Sequence, residues 1–282
     1  MAENDSARRG GTVPAGVDIE RSSVARLYDW LLGGSHNFAS DRELGRRLVR
    51  AEPNARQIVR ENRDFLGRSV RYLLDQGIRQ FLDLGSGIPT QENVHQIVQK
   101  VAPGARVVYV DNDPSAVAHS RHILAGNPDA AAVHADMRHS GEVMGHPTTR
   151  GLLDFSRPIG LLMVTVLHFV PDADEPHAMV ARYRDAVVPG SYLAISHATH
   201  EAAPRAAADV EQLYRSTARA SAHTRSHEEI SGFFAGFELV EPGLVYIPLW
   251  HPEGDPHPNP EQMWFYAGVG RLDQRSRPVS RT

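Results

Sequence analysis

The residues with the clearest chemical potential lie in one short stretch, Phe81–Pro89, with the sequence FLDLGSGIP. An apolar run leads to an acidic residue, Asp83, and the glycines Gly85 and Gly87 follow on either side of Ser86. Glycines directly after a strand let a ligand approach the main chain, because no Cβ stands in the way. A helix that begins after them directs free N–H groups at a negative group. The stretch is therefore typical of a nucleotide-type cofactor site at the first β-to-α turn of a doubly wound sheet.

Gly-x-Gly after a strand is also the sequence of an ordinary tight turn, so this stretch alone leaves both interpretations open. Position 90 is Thr, where the dinucleotide-binding fingerprint has Gly or Ala. A second acid favours the cofactor site, because Asp111 and then Asn112 follow the strand-like run Arg106–Val110. An acid at the end of the second strand commonly binds ribose hydroxyls. The alternative for Asp111 is a helix N-cap.

Two more strand-like runs end in polar residues. The run Ala130–His134 precedes Asp136 and Met137, and an acid there can accept an adenine amino group while methionine covers the ring face. The run Pro158–Val166 contains Thr165 near its carboxyl end. Ligands bind outside the carboxyl ends of the strands in open α/β sheets. We therefore expect these side chains to line one edge of the sheet.

These glycines and the three acidic positions Asp83, Asp111 and Asp136 resemble the cofactor signature of class I S-adenosylmethionine-dependent methyltransferases. The stretch Arg26–Phe38, RLYDWLLGGSHNF, together with the FLDLGSGIP stretch, resembles an actinobacterial family of candidate methyltransferases formerly classed as a domain of unknown function. The likeness extends from about Ser23 to Arg271. It implies a fold and S-adenosyl-L-methionine as cofactor, but no particular methyl acceptor.

On this resemblance, the glycine turn is predicted to pass under the methionine part of the cofactor and Asp111 to bind the ribose diol. Asp136 and Met137 are assigned to the adenine. The predicted cofactor-binding residues are Arg26, Asp83, Gly85, Ser86, Gly87, Asp111, Asn112, Asp136, Met137 and Thr165.

Methyl transfer requires mainly alignment and the exclusion of water, and a base only where the acceptor keeps its proton until the transition state. The predicted catalytic residues are His168, which follows the fourth strand, and Tyr28; a structural role for His168 is an open alternative. Arg26 and Tyr28 are expected to reach over the cofactor carboxylate, since arginine binds carboxylates bidentately. A helix merely packed on the sheet is the alternative. The predicted acceptor-binding residues are His36, Asn37 and His197.

The composition restricts the class of protein. The 282 residues are 41% hydrophobic and 23% charged, as in an ordinary globular protein, and the net charge of −4 does not favour a nucleic-acid partner. The chain has no cysteine, which excludes disulfides, thiolate metal sites and a cysteine nucleophile. The 15 histidines form no complete zinc motif, so we expect no metal. Nine arginines between Arg42 and Arg71 are interpreted as a solvated helical face.

No apolar run approaches the roughly 20 residues that span a bilayer, and residues 1–16 lack an apolar signal core. We therefore expect a cytoplasmic protein with no membrane partner; a homodimer is left open. Three units are predicted, namely a disordered segment at 1–20, an N-terminal helical cap at 21–77 and an S-adenosylmethionine-binding domain at 78–282. The cap helices are predicted from Ser22 or Ser23 to Leu32, from Asp41 to Ala51, and from Pro53 to Gln76.

Strand and helix patterns alternate after the cap, which predicts an α/β, Rossmann-like, doubly wound sheet of seven mostly parallel strands with an antiparallel last strand. The predicted strands are Gln80–Leu84, Arg106–Val110, Ala131–His134, Pro158–Val166, Ser191–Ser196, Phe233–Trp250 and Met263–Arg271.

The first hypothesis is thus a methyltransferase that acts on an unidentified small molecule, with a setting in secondary metabolism. The second is a non-catalytic regulator that binds S-adenosylmethionine, since fold does not determine function. The third is a nicotinamide-dependent oxidoreductase, which Thr90 and the Asp136-Met137 pair disfavour. The acceptor atom, whether oxygen, nitrogen or carbon, is not visible in the sequence.

Overall fold

The computed structural model describes residues 17–89, 93–217, 221–255 and 257–273. The predicted disorder of residues 1–20 therefore falls mainly on residues 1–16, which lie outside the described residues. Within the described ranges, no helix is both long enough and apolar enough to cross a membrane.

An eight-stranded sheet lies at the centre, in the order β3-β2-β1-β4-β5-β8-β6, with β7 paired to β8. β1 to β5 pair in parallel, and β8 runs antiparallel to β5, β6 and β7. The predicted fold class is confirmed, although the sheet has eight strands rather than seven. The strands are β1 Gln80–Leu84, β2 Arg106–Asp111, β3 Ala130–His134, β4 Gly160–Val164, β5 Tyr192–Ala198, β6 Phe237–Leu239, β7 Val245–Tyr246 and β8 Phe265–Leu272.

The central strands are apolar on both faces because both faces are covered. Every residue of β1 and of β5 is buried. Neighbouring residues of β1 enter different clusters: Phe81 packs with the cap helices, whereas Leu82 packs in the core on the other face. Strands buried on both sides are characteristic of parallel sheets flanked by helices.

The helices flank this sheet on both faces. The described helices are α1 Val24–Leu31, α2 Ala39–Ala51, α3 Ala55–Asp75, α4 Val94–Val101, α5 Pro114–Ile123, α6 Ser140–Gly145, α7 Pro147–Leu152, α8 Pro176–Ala186, α9 Pro204–Thr217 and α10 His227–Gly232.

The prediction of one long strand over Phe233–Trp250 is wrong. The segment forms the short strands β6 and β7 and a 3₁₀ helix at Ile247–Leu249. Gly236 and Gly243 adopt φ values of +86° and +88°, which a continuous strand does not allow. Pro242 and Pro248 also lack the N–H that a strand ladder needs.

Asp41 connects the first two helices of the helical cap. It lies inside its helix and is not the residue at which that helix begins. The N-cap is Phe38, and the buried Asp41 carboxylate accepts from the Phe38 N–H at 2.8 Å and from the Ser23 N–H at 2.9 Å. It also pairs with the buried Arg26 guanidinium at 2.8 Å. One carboxylate therefore fixes the starts of α1 and α2 relative to each other.

We predict that Asp41→Ala lowers the free energy of unfolding by about 3–5 kcal/mol, because it leaves the buried Arg26 charge without its carboxylate. Urea unfolding followed by circular dichroism measures the change. The matched control is Glu43→Ala in the same helix, whose carboxylate pairs with Arg46 at the surface and should matter much less. Equal effects of the two substitutions would contradict this account of the cap.

Candidate functional site

The strand order brings the chemically interesting residues to one edge. β1 lies between β2 and β4. The chain adds β2 and β3 on one side of β1 and then crosses to add β4 and β5 on the other side. The carboxyl ends of β1, β2 and β4 carry Asp83, Asp111 and Thr165. This is the switch point at which open α/β sheets bind ligands.

The glycine turn after β1 has a main-chain path that few residues can follow. Gly85 and Gly87 adopt φ values of +72° and +66°. A Cβ on Gly85 would lie 2.2 Å from Cγ2 of Val166, whereas one on Gly87 would meet nothing within 4 Å. The Gly85 N–H donates to the Val110 carbonyl at 2.8 Å, which holds the turn against β2. Gly85 is therefore required for close packing, and Gly87 leaves open space beside the main chain.

Two buried carboxyl groups flank this turn. Burial raises the pKa of Asp83 to about 7, with Asp111 adding to the rise and Arg63 opposing it. Burial also raises the pKa of Asp111 to about 6, although the N–H groups of Asp113 and Gly87 oppose it. The Gly87 N–H donates to the Asp111 carboxylate at 2.7 Å. This hydrogen bond connects the glycine turn directly to the acid at the end of β2. Desolvated acids of this kind are stabilised by a cation.

The remaining predicted cofactor residues lie farther along the same edge. Asn112 is exposed, and its carbonyl bonds to His134. Asp136 follows β3; burial raises its pKa, but hydrogen bonds from Arg138 outweigh that effect and hold it below the usual range. Met137 is buried in the core, and its carbonyl accepts from the Tyr183 hydroxyl at 2.8 Å. Their roles as cofactor contacts stay predictions.

Helix α1 lies over the first two β-to-α turns. Ala25 packs with Ile88, which follows the glycine turn, and with Ala116 of α5. The Ser23 hydroxyl bonds to the carboxylate of Asp113. The cap therefore covers the part of the edge where the glycines and Asp111 lie.

Arg26 uses its guanidinium on protein partners, and its predicted contact with a cofactor carboxylate stays a prediction. Its guanidinium is 3% exposed and donates to Asp41, to Ser115 and to the carbonyls of Asp18 and Arg21. Sequence pattern could not reveal these partners, because they come from three separate segments.

Arg63 is the functional candidate that sequence reasoning missed. It lies on α3, and its charge opposes the burial that raises the pKa of Tyr28 to about 12 as well as that of Asp83. The Tyr28 hydroxyl donates to the Val59 carbonyl at 3.0 Å. Arg63 and Tyr28 thus approach the glycine turn from the cap. No sequence signal separated Arg63 from the other arginines of the same helices.

The loop Gly33–Phe38 is organised by a second buried carboxylate, Asp29. Asp29 accepts from the His36 N–H at 2.8 Å and from the Asn37 side-chain amide at 2.9 Å. The His36 ring lies edge-on against His119 of α5, with ring centroids 4.2 Å apart. Asn37 therefore uses its amide within the cap. The acceptor contacts predicted for His36 and Asn37 stay predictions.

His197 uses both ring nitrogens on protein partners, and its predicted contact with the acceptor stays a prediction. It is fully buried, its Nδ1 lies 2.7 Å from the Ala198 carbonyl, and its Nε2 lies 2.9 Å from the Arg225 guanidinium. A carbonyl only accepts and a guanidinium only donates, so Nδ1 carries the hydrogen and the ring is neutral. Burial lowers its pKa well below the usual value.

His168 lies at the predicted place after β4 but is a weak base there. Burial, together with the smaller effects of the Arg225 and His223 charges, lowers its pKa to about 3. Its Nδ1 is buried without a hydrogen-bond partner among the described residues. Arg225 donates to the carbonyls of Leu167 and Val170, so it holds the segment on both sides of His168.

A family model described as S-adenosyl methyltransferase matches residues 11–273 of the chain. A solved structure of a candidate methyltransferase from Thermobifida fusca is 40% identical, with a TM-score of 0.87, and the match covers 92% of this chain and 98% of that one. A DUF574 family protein from Streptomyces avermitilis is also 40% identical, with a TM-score of 0.86, over 90% of this chain and 98% of that one. No curated protein matches the chain.

We predict that Asp83→Asn raises the stability of the ligand-free protein at alkaline pH. The folded state holds the Asp83 proton more tightly than the unfolded chain, with a pKa of about 7 instead of 3.8. The resulting stabilisation is present at acidic pH and is lost as the pH rises through about 7. Asparagine stays neutral, so its advantage should be small at pH 4 and reach on the order of 4 kcal/mol at pH 8, because each unit of pKa difference corresponds to about 1.4 kcal/mol.

Urea unfolding at the two pH values measures this difference. Asp75→Asn, at the exposed carboxyl end of α3, is the control for a general charge effect. An Asp83→Asn protein that is no more stable than the wild type at pH 8 would show that the buried charge carries no penalty.

Proposed function

Because the chain belongs to the S-adenosyl methyltransferase family, we propose that it transfers the methyl group of S-adenosylmethionine to a small-molecule acceptor. The cofactor supplies an electrophilic methyl group on a sulfonium, so the protein itself needs to bind, align and exclude water. The single observation that best supports the proposal is the pair of buried carboxyl groups, Asp83 and Asp111, on either side of the glycine turn.

This pair fits a cationic nucleoside. Each carboxyl group has a raised pKa because burial removes its water, and a nearby positive charge would favour the ionised forms. Gly87 leaves open space beside its main chain, so a ligand can approach the turn closely. The residues present therefore suit the cofactor of the family.

We assign the predicted roles as follows. The turn at Gly85, Ser86 and Gly87 holds the methionine part, and Arg63, whose charge acts on Asp83, attracts the carboxylate of the methionine part. Asp111 and Asn112 hold the ribose. Residues Asp136 and Met137, at the end of β3, hold the adenine, and Thr165 lies at the end where transfer occurs.

The transfer end is enclosed, which favours a small acceptor over a polymer. Tyr28 approaches Thr165 from the cap, and its pKa responds to the Thr165 hydroxyl. The ring of Phe169, just beyond β4, lies against Tyr214 of α9, with ring centroids 5.4 Å apart. The N–H of His223 reaches over to the His168 carbonyl at 2.7 Å. A setting in secondary metabolism is proposed on the sequence resemblance alone.

The proposed chemistry depends on alignment more than on proton transfer. His168 has a pKa of about 3 and accepts a proton only weakly, while Tyr28 has a pKa of about 12 and stays protonated at neutral pH. The single hydrogen of the Tyr28 hydroxyl is donated to the Val59 carbonyl, so Tyr28 can only accept a further hydrogen bond, and His168 can accept one from an acceptor hydroxyl or amine. An acceptor that is already nucleophilic at neutral pH suits this arrangement.

We predict that the affinity for S-adenosylmethionine rises between pH 5.5 and pH 8, because ionisation of Asp83 and Asp111 creates the negative charge that a sulfonium favours. S-adenosylhomocysteine lacks the sulfonium charge, so its affinity should change less. Isothermal titration calorimetry with both ligands measures the two profiles. Asp111→Ala should weaken both ligands by at least about tenfold, and Asp185→Ala, exposed at the end of α8, is the control.

A transfer assay separates the proposal from its alternatives. Methyl-labelled S-adenosylmethionine is incubated with the protein and fractionated small-molecule extracts, and the label is followed by mass spectrometry. Label in a small molecule supports the proposal. Binding without transfer to any fraction would favour a regulator, and binding of a nicotinamide cofactor in place of S-adenosylmethionine would contradict the assignment.

A further inference from the structure

Thr165 has a main-chain conformation that its side chain disfavours. Its φ is +58°, in the left-handed region, although threonine is branched at Cβ. Residues of this type rarely adopt that region, and where they do the surrounding contacts hold them in it. Thr165 directly follows β4, at the edge of the sheet where the glycine turn lies. The contacts that hold it therefore matter for the site.

Asn62 of α3 provides these contacts. Its side-chain carbonyl accepts from the Thr165 hydroxyl at 2.7 Å and from the Ser196 hydroxyl at 2.5 Å. Its amide donates to the Ile58 carbonyl at 3.0 Å, which fixes the direction of the side chain. Asn62 is fully buried. The Thr165 N–H meanwhile donates to the Ser196 carbonyl and hydroxyl, at 3.2 and 3.0 Å.

The conformation of Thr165 determines where the next side chain lies. Val166 packs so closely on Gly85 that a Cβ there would be 2.2 Å from its Cγ2 atom. A continuous series of contacts therefore runs from Asn62 through Thr165 and Val166 to the glycine turn. The hydroxyl of Tyr28 bonds to the same turn of α3, at Val59.

We propose that Asn62 is a positioning residue of the cofactor site, which holds Thr165 in its left-handed conformation and thereby seats Val166 against the Gly85 turn. The proposal rests on the proposed function, because that turn is where the cofactor binds. Asn62 itself touches neither the glycine turn nor the two acids in the structure's described contacts. It acts through Thr165.

A role in stability alone would give a different result. A buried asparagine with three hydrogen bonds stabilises the fold whether or not it positions a ligand. A positioning role requires that its effect on ligand binding disappear once the left-handed conformation no longer needs support. Glycine at position 165 meets this condition, because it adopts φ values near +58° without strain.

The experiment is a double-mutant cycle with S-adenosylhomocysteine as the probe, measured by calorimetry, with the melting temperature of each protein recorded separately. In the wild-type background, Asn62→Ala should weaken S-adenosylhomocysteine by at least about tenfold. In a Thr165→Gly background, the same substitution should weaken it by less than about threefold, whatever the affinity of that background. Asn62→Ala should lower the melting temperature in both backgrounds, because it removes the side-chain carbonyl that accepts from the Ser196 hydroxyl.

Equal losses in the two backgrounds, or no loss in the wild type, would overturn the proposal. Ser69→Ala is the matched control, because Ser69 is also buried on α3 and its hydroxyl donates to the Leu66 carbonyl of its own helix. It should lower the melting temperature and leave affinity unchanged within about threefold. A wild-type protein that binds no S-adenosylhomocysteine would refute the proposed function, and this inference with it.

A second comparison applies if Asn62→Ala does not fold. Thr165→Val and Thr165→Gly both remove the hydroxyl, but only valine keeps the Cβ branch that disfavours the left-handed region. The valine variant should bind S-adenosylhomocysteine at least about tenfold more weakly than the glycine variant. Equal binding by the two variants would show that a Cβ branch at position 165 does not disturb the site, so the left-handed conformation needs no support from Asn62 and the proposal fails.

Discussion

The site depends on one electrostatic constraint, the burial of two carboxyl groups beside a turn that has glycine on either side of Ser86. Desolvation raises the pKa of both Asp83 and Asp111, so the fold keeps charge there only at an energetic penalty. In the proposed function, a positively charged ligand would relieve that penalty, and part of the relieved free energy would contribute to its affinity. A site that is destabilising when empty and favourable when filled is a common compromise between stability and activity.

The helical cap exists in this form because polar groups bind it to the sheet. Within the cap, the buried ion pair of Asp41 and Arg26 holds the first two helices together. Between the cap and the rest of the domain, Asn62 bonds to Thr165 and Ser23 bonds to Asp113. Buried polar networks are strongly directional, since each unpaired group would be costly. Apolar packing alone would allow the cap to shift on the sheet, whereas these bonds define its position over the glycine turn.

Local pattern was sufficient for the parallel strands, the cap helices and the glycine turn. Apolar runs, glycines and capping residues act over a few neighbours, so they are visible in a single stretch of sequence. Local pattern did not reveal interactions between residues that are far apart in the sequence. The interruption of Phe233–Trp250 depends on glycine conformation, and the roles of Arg26, Arg63 and His197 depend on which segments surround them. Thr165 was predicted to face the cofactor, but not to be held in a left-handed conformation.

By itself, the sequence determined the class of fold through its alternating strand and helix patterns, and the family through the resemblance of Arg26–Phe38 and Phe81–Pro89. It also predicted the place of the cofactor turn. Only the tertiary structure decided which polar groups form hydrogen bonds and ion pairs with other parts of the protein. It pairs Arg26 with Asp41, gives both ring nitrogens of His197 to protein partners, and sets Asn62 against Thr165 across 103 positions of the chain. The physical reason is that burial and hydrogen bonding are properties of neighbours in space, and neighbours in space are chosen by the whole chain.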